Sequence, residues 1–224
     1  MSSEFKLVDV SHSIEHGMVT YKGLPEPIIS DHLSREESKK RYGPGTEFQI
    51  GKIEMVANTG TYIDSPFHRY SRGKDLAGLD LNAIANLEGI VVRCLEMNEP
   101  EITEQSFREI EVKDKAVLLH TGWDRHWRTD EYASGNHKFL TEGGATYLAK
   151  HGAALVGIDS FNIDGTKDIN RPAHTILLGH DIPIVEHLCG LGDLPDSGFK
   201  FFAVPPKVRQ FGSFPVRAFA IVTS

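Results

Sequence analysis

Short apolar runs constrain the fold of this chain more than any other feature of its sequence. Ile90–Val92, Ala116–Leu119 and Ala154–Ile158 are rich in valine, isoleucine and leucine, and each is only a few residues long. Runs of this length and composition are typical of strands that are buried on both faces of a sheet. They therefore predict the centre of a β-sheet.

Helices are predicted around these runs. Thr103 is a good N-cap for a helix through Ile110, and Thr141 can cap another helix that Gly152 ends. Pro172 suits the first turn of a further helix. The remaining candidates are the helices Ser34–Tyr42 and Leu79–Leu87 and the strands Leu7–Val10, Phe48–Val56, Phe199–Val204 and Ala218–Val222. Because strands and helices are mixed without strict alternation, we expect an α/β fold with a mixed sheet.

Composition restricts the class of protein. A length of 224 residues fits one domain over positions 1–224, and the net charge is −7 with no run of five like charges. A nucleic-acid partner is therefore not expected, since it needs a clustered basic face. Two cysteines fit a reducing compartment, Met1–Lys6 has no apolar signal core, and no apolar run reaches the length of a membrane span. We expect a cytoplasmic protein without a membrane partner.

The segment Asn58–His68 is the strongest candidate for a functional site. It places Asp64 and His68 four residues apart with Pro66 between them, a spacing that can turn both side chains toward one pocket. A carboxylate and a neutral imidazole can bind Zn²⁺ or Mn²⁺, or act as a base and its orienting partner. The alternatives are an exposed polar loop and an Asp64 that accepts backbone N–H bonds.

Other candidate residues are weaker on their own. His174 and Glu186 are separated by Pro183, which excludes one continuous helix, but they can meet across a cleft. Without further support, a surface Glu186 and a helix-capping His174 are the simpler interpretation. His120 ends an apolar strand, where sites are often built, yet a buried histidine bonded to backbone fits equally well.

Larger groups of side chains can contact a planar, anionic substrate. The aromatic residues Trp123, Trp127, Phe67 and Phe161 can form a wall, although such residues are more often part of the core. Arg69 and Arg171 can meet a substrate carboxylate.

The same segments resemble a known family, the cyclase-like metal-dependent hydrolases. Its motif reads His-x-Gly-Thr-His-x-Asp-x-Pro-x-His, and this chain matches it at Gly60, Thr61, Asp64, Pro66 and His68. Downstream, Gly157–Ser160 is similar to the family's Gly-Ile-Asp segment, and His174 with Ile184–Leu188 is similar to its second ligand block. The similarity extends from about Leu7 to about Ile221. It implies the swivelling β/β/α fold in a single domain.

The resemblance also implies roles for individual residues. Asp64, His174 and Glu186 would bind one Zn or Mn ion, and His68 would act as acid and base. Asn58 and Tyr62 stand where the family has metal-binding histidines, so a second ion is not expected and the site holds one ion or none. Neither Asn nor a neutral phenol replaces an imidazole as a ligand at neutral pH. His120 or His187 is an alternative source of the missing nitrogen.

These residues predict a small-molecule hydrolase. Tyr62 would donate a hydrogen bond to a developing oxyanion, and the substrate would contact Asn58, Thr61, His120 and Trp123. The family resemblance implies hydrolysis of an amide, formamide or cyclic amide C–N bond, and it suggests arylformamides, such as those of the kynurenine pathway, as the first substrates to consider. The alternative is a metal-free or non-hydrolytic relative: a cyclase, a lactonase or a binding protein. The family resemblance further implies a homodimer or a larger homo-oligomer.

Overall fold

One large sheet of nine strands organises the protein, and the computed structural model describes residues 5–223. The strands, numbered β1 to β13 in chain order, are Phe5–Asp9, Ile28–Leu33, Ile50–Glu54, Tyr62–Asp64, Leu87–Arg93, Glu101–Ile102, Lys115–His120, Phe139–Leu140, Leu155–Ile158, Ile184–Glu186, Phe199–Phe202, Ser213–Pro215 and Phe219–Thr223. The α-helices α1 to α3 are Arg35–Lys39, Glu142–Lys150 and Pro172–Gly179. Short 3₁₀ helices are Pro66–His68, Leu81–Ala83, Glu104–Phe107, Trp123–His126, Asp130–Ala133 and Leu191–Asp193.

The large sheet is mixed. Its strand order is β1-β13-β11-β5-β7-β9-β10-β4-β12. The four central strands β5, β7, β9 and β10 are parallel, and the flanking strands on both sides are antiparallel. Helix α2 connects β7 to β9, and α3 connects β9 to β10, as parallel neighbours require. The predicted α/β fold with a mixed sheet is confirmed.

Side-chain alternation along the central strands divides the core into two layers. In β7, Ala116 and Leu118 belong to one apolar cluster, and Val117 and Leu119 belong to the other. The second cluster also contains the buried faces of α2 and α3, so the helices cover that face of the sheet. The first cluster includes side chains from strands near both ends of the sheet, which shows that the sheet curls around it. The short apolar runs therefore lie at the centre, buried on both faces, as predicted.

A glycine in β5 is required for this packing. A Cβ on Gly89 would lie 2.0 Å from the ring of Phe199, which is its direct partner on β11. Any side chain there would expel the phenylalanine ring from the core.

Several predicted elements differ from the observed ones. The helix expected from Thr103 through Ile110 is only the 3₁₀ turn Glu104–Phe107, although Thr103 does cap it. The helix expected over Leu79–Leu87 is likewise a single turn, because Asn86 adopts a positive φ of 56° and directs the chain into β5. Thr141 caps helix α2 as predicted, and Ser34, the first residue of the predicted helix Ser34–Tyr42, caps α1. The N-terminal residues 1–4, part of the Met1–Lys6 segment, lie outside the described residues.

The predicted strand over Phe48–Val56 is present as β3, but it does not join the large sheet. It pairs with β2 in a separate two-stranded hairpin whose side chains are almost all exposed. Ile28, Ile29, Ile50 and Ile53 are each close to half exposed. Isolated two-stranded hairpins are marginally stable in water, so this apolar hairpin stands out as an unpartnered surface. No helix among residues 5–223 combines the length and the apolar character that crossing a membrane requires.

Candidate active site

Strand register brings four polar side chains to one face of the sheet. β4 lies between β10 and β12, which places Tyr62 opposite Glu186 and Asp64 opposite Ser213. Since side chains alternate along a strand, Ile63 between them points to the other face, into the core. The Tyr62 hydroxyl donates to Glu186 Oε2 at 2.5 Å, and the Ser213 hydroxyl donates to Asp64 Oδ1. Cross-strand pairing alone therefore builds the centre of this site.

His174 reaches the same face from the first turn of α3. Asp164 accepts hydrogen bonds from the backbone N–H groups of Ala173 at 2.7 Å and His174 at 3.2 Å, and so caps the helix from a neighbouring loop. The same carboxylate lies 2.6 Å from His174 Nδ1. Because His174 Nδ1–H donates to Asp164, His174 Nε2 is directed toward Asp64 and Glu186. It lies 3.7 Å from Asp64 Oδ2 and 3.8 Å from Glu186 Oε1.

These two distances are too long for direct hydrogen bonds, and they fit a cation bound between the side chains. Asp64 is fully buried, and its Oδ2 has no hydrogen-bond partner among the described residues. Buried carboxylate oxygens are normally satisfied, so an unpaired one points to a missing partner. Ligand atoms ~2.0–2.3 Å from a common ion are separated from one another by distances of this order. One ligand atom from each of Asp64, His68 and His174 lies within 4.8 Å of the others.

The local electrostatics also favour a cation. Burial opposes the charged form of His174, but the carboxylates of Glu186, Asp164 and Asp64 outweigh it and raise the pKa of His174 to about 10. Burial raises the pKa of Glu186, and the nearby Asp64 carboxylate raises it further. One imidazole cannot balance the charge of three buried carboxylates, and a bound cation would supply the missing positive charge. The donor set fits Zn²⁺ or Mn²⁺.

Glu186 is held by neighbours on both oxygens. Its Oε1 accepts the backbone N–H of Ile163 at 2.7 Å, and its Oε2 accepts from Tyr62 and more weakly from Tyr21 at 3.4 Å. Burial and the charge of Glu186 raise the pKa of Tyr62 well above its usual value, so the phenol stays protonated. Its single proton is directed at Glu186 and not into the cavity. This differs from the predicted oxyanion-donor role, because the cross-strand pairing puts Glu186 within reach first.

His68 is placed by the loop that follows β4. Pro66 begins the 3₁₀ turn that carries His68, and Gly212 packs so closely that a Cβ there would lie 2.6 Å from His68 Cα. His68 Nδ1 lies 2.8 Å from Ser213 Oγ. Because the Ser213 proton goes to Asp64, the hydroxyl can only accept from His68, which places the His68 proton on Nδ1. The His68 Nε2 lone pair is then free to act as a base.

A cavity of about 490 Å³ opens over these groups. His68, His174, Glu186, Tyr62 and Asn58 line it, together with Tyr21, Asn162, Arg69 and Arg171. Arg171 donates to the side-chain oxygen of Asn162 at 3.3 Å, and no carboxylate among the described residues lies within 4.0 Å of either arginine. An anionic group on a bound molecule would therefore find two cations at the cavity wall.

Three predicted substrate-binding residues do not line this cavity. Thr61 is buried, and its hydroxyl donates to the carbonyl of His187 while accepting the backbone N–H of His12 at 2.9 Å. His120 is the last residue of β7, and its Nδ1 accepts from Arg93 at 2.9 Å. Trp123 lines a different cavity. The prediction that Thr61, His120 and Trp123 contact the substrate in this cavity is therefore corrected. Strand ends do meet at this edge of the sheet, but the edge holds more than one pocket.

His187 does not supply a ligand either. Its side chain is fully buried, and its Nδ1 lies 2.7 Å from the Tyr132 hydroxyl in an aromatic cluster behind the site. His187 comes directly after the end of β10, where its φ of 55° turns the chain out of the strand, and its ring packs against Tyr62 and Tyr21.

Sequence reasoning missed Asp164, Ser213 and Tyr21. Asp164 and Ser213 lie 100 and 149 positions from Asp64 along the chain, and each acts only through a contact made in the folded protein. The one signal for Asp164 in the sequence was an acidic residue shortly after the Gly157–Ser160 segment.

The chain matches the family model described as "Putative cyclase" over residues 8–165. It is 27% identical over 220 residues to kynurenine formamidase of Bacillus cereus, covering 94% of this chain and 95% of that protein. Isatin hydrolase A from Labrenzia aggregata, solved with benzyl benzoate, superimposes with a TM-score of 0.82 at 20% identity, over 98% of this chain and 94% of that one. A structure described as a potential metal-dependent hydrolase with cyclase activity gives a TM-score of 0.78 at 25% identity, over 97% and 98% of the two chains. The fold, the extent of the sequence match and the arrangement of Asp64, His68 and His174 lead to one conclusion: the chain belongs to the "Putative cyclase" family.

Proposed function

We propose that this protein hydrolyses a C–N bond in a small amide, formamide or cyclic amide, with a divalent ion held by Asp64, His174 and Glu186. The observation that carries the proposal is the buried, unpaired Asp64 Oδ2 facing His174 Nε2 at 3.7 Å. The similarity to kynurenine formamidase and to a potential metal-dependent hydrolase supports it. A divalent ion bound there would polarise a carbonyl and lower the pKa of a water molecule.

His68 is the proposed general base and acid. It lines the cavity with about a third of its side chain exposed, while Asp64 and Glu186 are buried. The Asp64–Ser213–His68 hydrogen bonds hold its proton on Nδ1, so Nε2 can take a proton from water and pass it to the leaving nitrogen.

Asp164 and Tyr62 position other groups. Asp164 fixes the ring of His174 and leaves its Nε2 directed at Asp64, an arrangement that also raises the basicity of a ligating histidine. Tyr62 fills the volume next to Glu186 and fixes that carboxylate.

The cavity wall indicates the substrate class. Arg69 and Arg171 favour a molecule with a carboxylate, and Tyr21 offers an aromatic surface near the same cavity. We therefore propose an aryl amide or formamide that carries a carboxylate, of which a formylated aromatic amine is the simplest example. His120 and Trp123 play no part in this proposal.

Metal analysis and a hydrolysis assay test the proposed function together. We expect about one Zn²⁺ or Mn²⁺ per chain after purification with metal, and metal-stimulated release of formate from 2-formamidobenzoate. Asp64→Asn should abolish both, since it keeps the size of the side chain and removes the charge. Asp193→Asn, a change outside the site, is the matched control. A protein that binds no metal and shows no hydrolysis would leave the cyclase or binding-protein alternative.

We also propose that the protein forms a homodimer or larger homo-oligomer through the β2–β3 hairpin. Among residues 5–223, β2 and β3 pair with no other strand, and they expose Ile28, Ile29, Ile50 and Ile53. Ile29→Asp with Ile53→Asp should convert the species seen by light scattering to a monomer. An unmodified protein that is already monomeric at micromolar concentration would contradict the proposal.

A further inference from the structure

A second cavity lies at the carboxyl edge of the parallel strands. Its volume is about 680 Å³, larger than the cavity at the candidate active site, and the two have no lining residue in common among residues 5–223. Ligand sites in proteins usually measure roughly 300–1,000 Å³. We call it the Trp123 cavity. Nothing in the proposed hydrolysis uses it.

The wall of the Trp123 cavity includes two fixed aromatic rings. The Trp123 indole N–H donates to the carbonyl of Tyr132 at 3.1 Å, which fixes the orientation of the ring. Phe139 packs over Gly165 so closely that a Cβ on the glycine would lie 3.0 Å from the phenylalanine ring. Both rings line the cavity, and they offer a planar apolar surface to a ligand.

The same cavity contains cations that lack an acidic partner. Arg125, Lys138 and Lys167 line it, and no carboxylate of the described residues lies within 4.0 Å of their nitrogen atoms. Lys138 is partly buried, and its Nζ donates to the carbonyls of Cys94 and Leu95, each at 2.7 Å. The ammonium group is therefore held in place while a third N–H remains available. A partly buried cation without a counter-ion is a site that an anion stabilises.

Acidic residues line the Trp123 cavity as well. Glu101 and Asp168 lie in its wall, and both also line a smaller neighbouring cavity together with Phe139 and Gly165. Arg125, Lys138 and Lys167 outnumber these two acids, so the wall carries a small excess of positive charge.

We propose that the Trp123 cavity binds a small aromatic carboxylate. Its carboxylate would lie against Lys138 and Arg125, and its ring against Trp123 and Phe139. This inference does not depend on the proposed hydrolase activity, and binding alone tests it.

Tryptophan fluorescence provides a direct readout, because the chain has only two tryptophans. In a Trp127→Phe variant, Trp123 is the single reporter. Titration with benzoate should give a saturable change in emission, whereas acetate and benzyl alcohol, which each lack one half of the ligand, should not. Arg125→Met and Lys138→Met should each raise the Kd for benzoate about tenfold, equivalent to about 1.4 kcal/mol. Lys138→Arg should retain binding.

Two further measurements locate the bound benzoate. Arg171→Met, a change in the other cavity, should leave the Kd for benzoate that Trp123 fluorescence reports unchanged. If Arg171→Met removes binding and Arg125→Met does not, benzoate binds only at the candidate active site and the inference is wrong. Calorimetry on the unmodified protein and on Arg125→Met, whose changed side chain is exposed, covers the case in which Trp127→Phe does not fold. If calorimetry on the unmodified protein shows no saturation below about 10 mM benzoate, the inference is also wrong.

Discussion

Replacing Ser213 by alanine tests the hydrogen-bonded arrangement that holds His68. The Ser213 hydroxyl donates to Asp64 and accepts from His68 Nδ1 at 2.8 Å, and the residue is 2% exposed. In Ser213→Ala the His68 ring loses the bond that fixes its proton on Nδ1, and Asp64 Oδ1 loses its donor. Hydrogen bonds to charged groups contribute about 1.5–3 kcal/mol. Since each 1.36 kcal/mol is tenfold in rate, we expect kcat to fall roughly 10- to 100-fold.

The assay separates the loss of orientation from the loss of metal. Hydrolysis of 2-formamidobenzoate is measured at saturating Mn²⁺, and metal affinity is measured separately by calorimetry. Ser213→Thr should recover most of the activity, because it restores the hydroxyl.

Ser65→Ala is the matched control. Ser65 is equally buried and lies next to Asp64, but its hydroxyl donates to the Gly212 carbonyl at 2.9 Å. A kcat for Ser213→Ala within twofold of the unmodified protein would refute the proposed role of Ser213. Equal losses in the two serine variants would indicate a general loosening of the loop instead.

Three further predictions concern single residues. His68→Ala should lower turnover about 10²–10⁴-fold, as expected for a general base, and leave metal content unchanged; parallel loss of both would make His68 a ligand. Tyr62→Phe should weaken metal binding about 10–100-fold, because Glu186 loses the hydrogen bond that holds it, and turnover at saturating metal should change little. A large loss of turnover at saturating metal would instead support Tyr62 as an oxyanion donor. Burial lowers the pKa of His12 from 6.5 to about 4, so between these pH values His12 is protonated in the unfolded chain and neutral in the folded protein. The contribution of His12 to the free energy of unfolding should therefore be fully present above pH 6.5 and fall as the pH drops toward 4. His12→Gln should flatten this dependence in urea denaturation and the exposed His32→Gln should not; identical slopes would exclude His12 as its source.

Much of the fold could be predicted because it depends on local patterns. The runs Ile90–Val92 and Ala116–Leu119 are apolar at every position, and only a strand covered on both faces buries them completely. Ser34 and Thr141 cap their helices as their side-chain chemistry predicts. Thr103 also caps a turn, but its helix stops after one turn, since helix length depends on packing that the sequence does not display.

The candidate site could be predicted only where its residues are close along the chain or match the family motif. Asp64 and His68 share one short loop, and Pro66 between them restricts its path. His174 and Glu186 were proposed through the resemblance, and the structure brings them within 3.8 Å of each other. His120 and Trp123 have equally suggestive positions after a strand, yet they lie elsewhere on the same edge. Position at a strand end does not indicate which pocket a residue lines.

The sequence by itself determined the secondary structure at the core, the family and the identity of the reactive groups, because these depend on side-chain chemistry and short-range spacing. Only the tertiary structure decided how those groups act. The register of β4 against β10 directs the Tyr62 proton to Glu186, and its register against β12 places Ser213 between Asp64 and His68. A shift of one residue in either pairing would turn these side chains to the opposite face. Register is set by the packing of the whole sheet, so no local pattern in this chain could have revealed it.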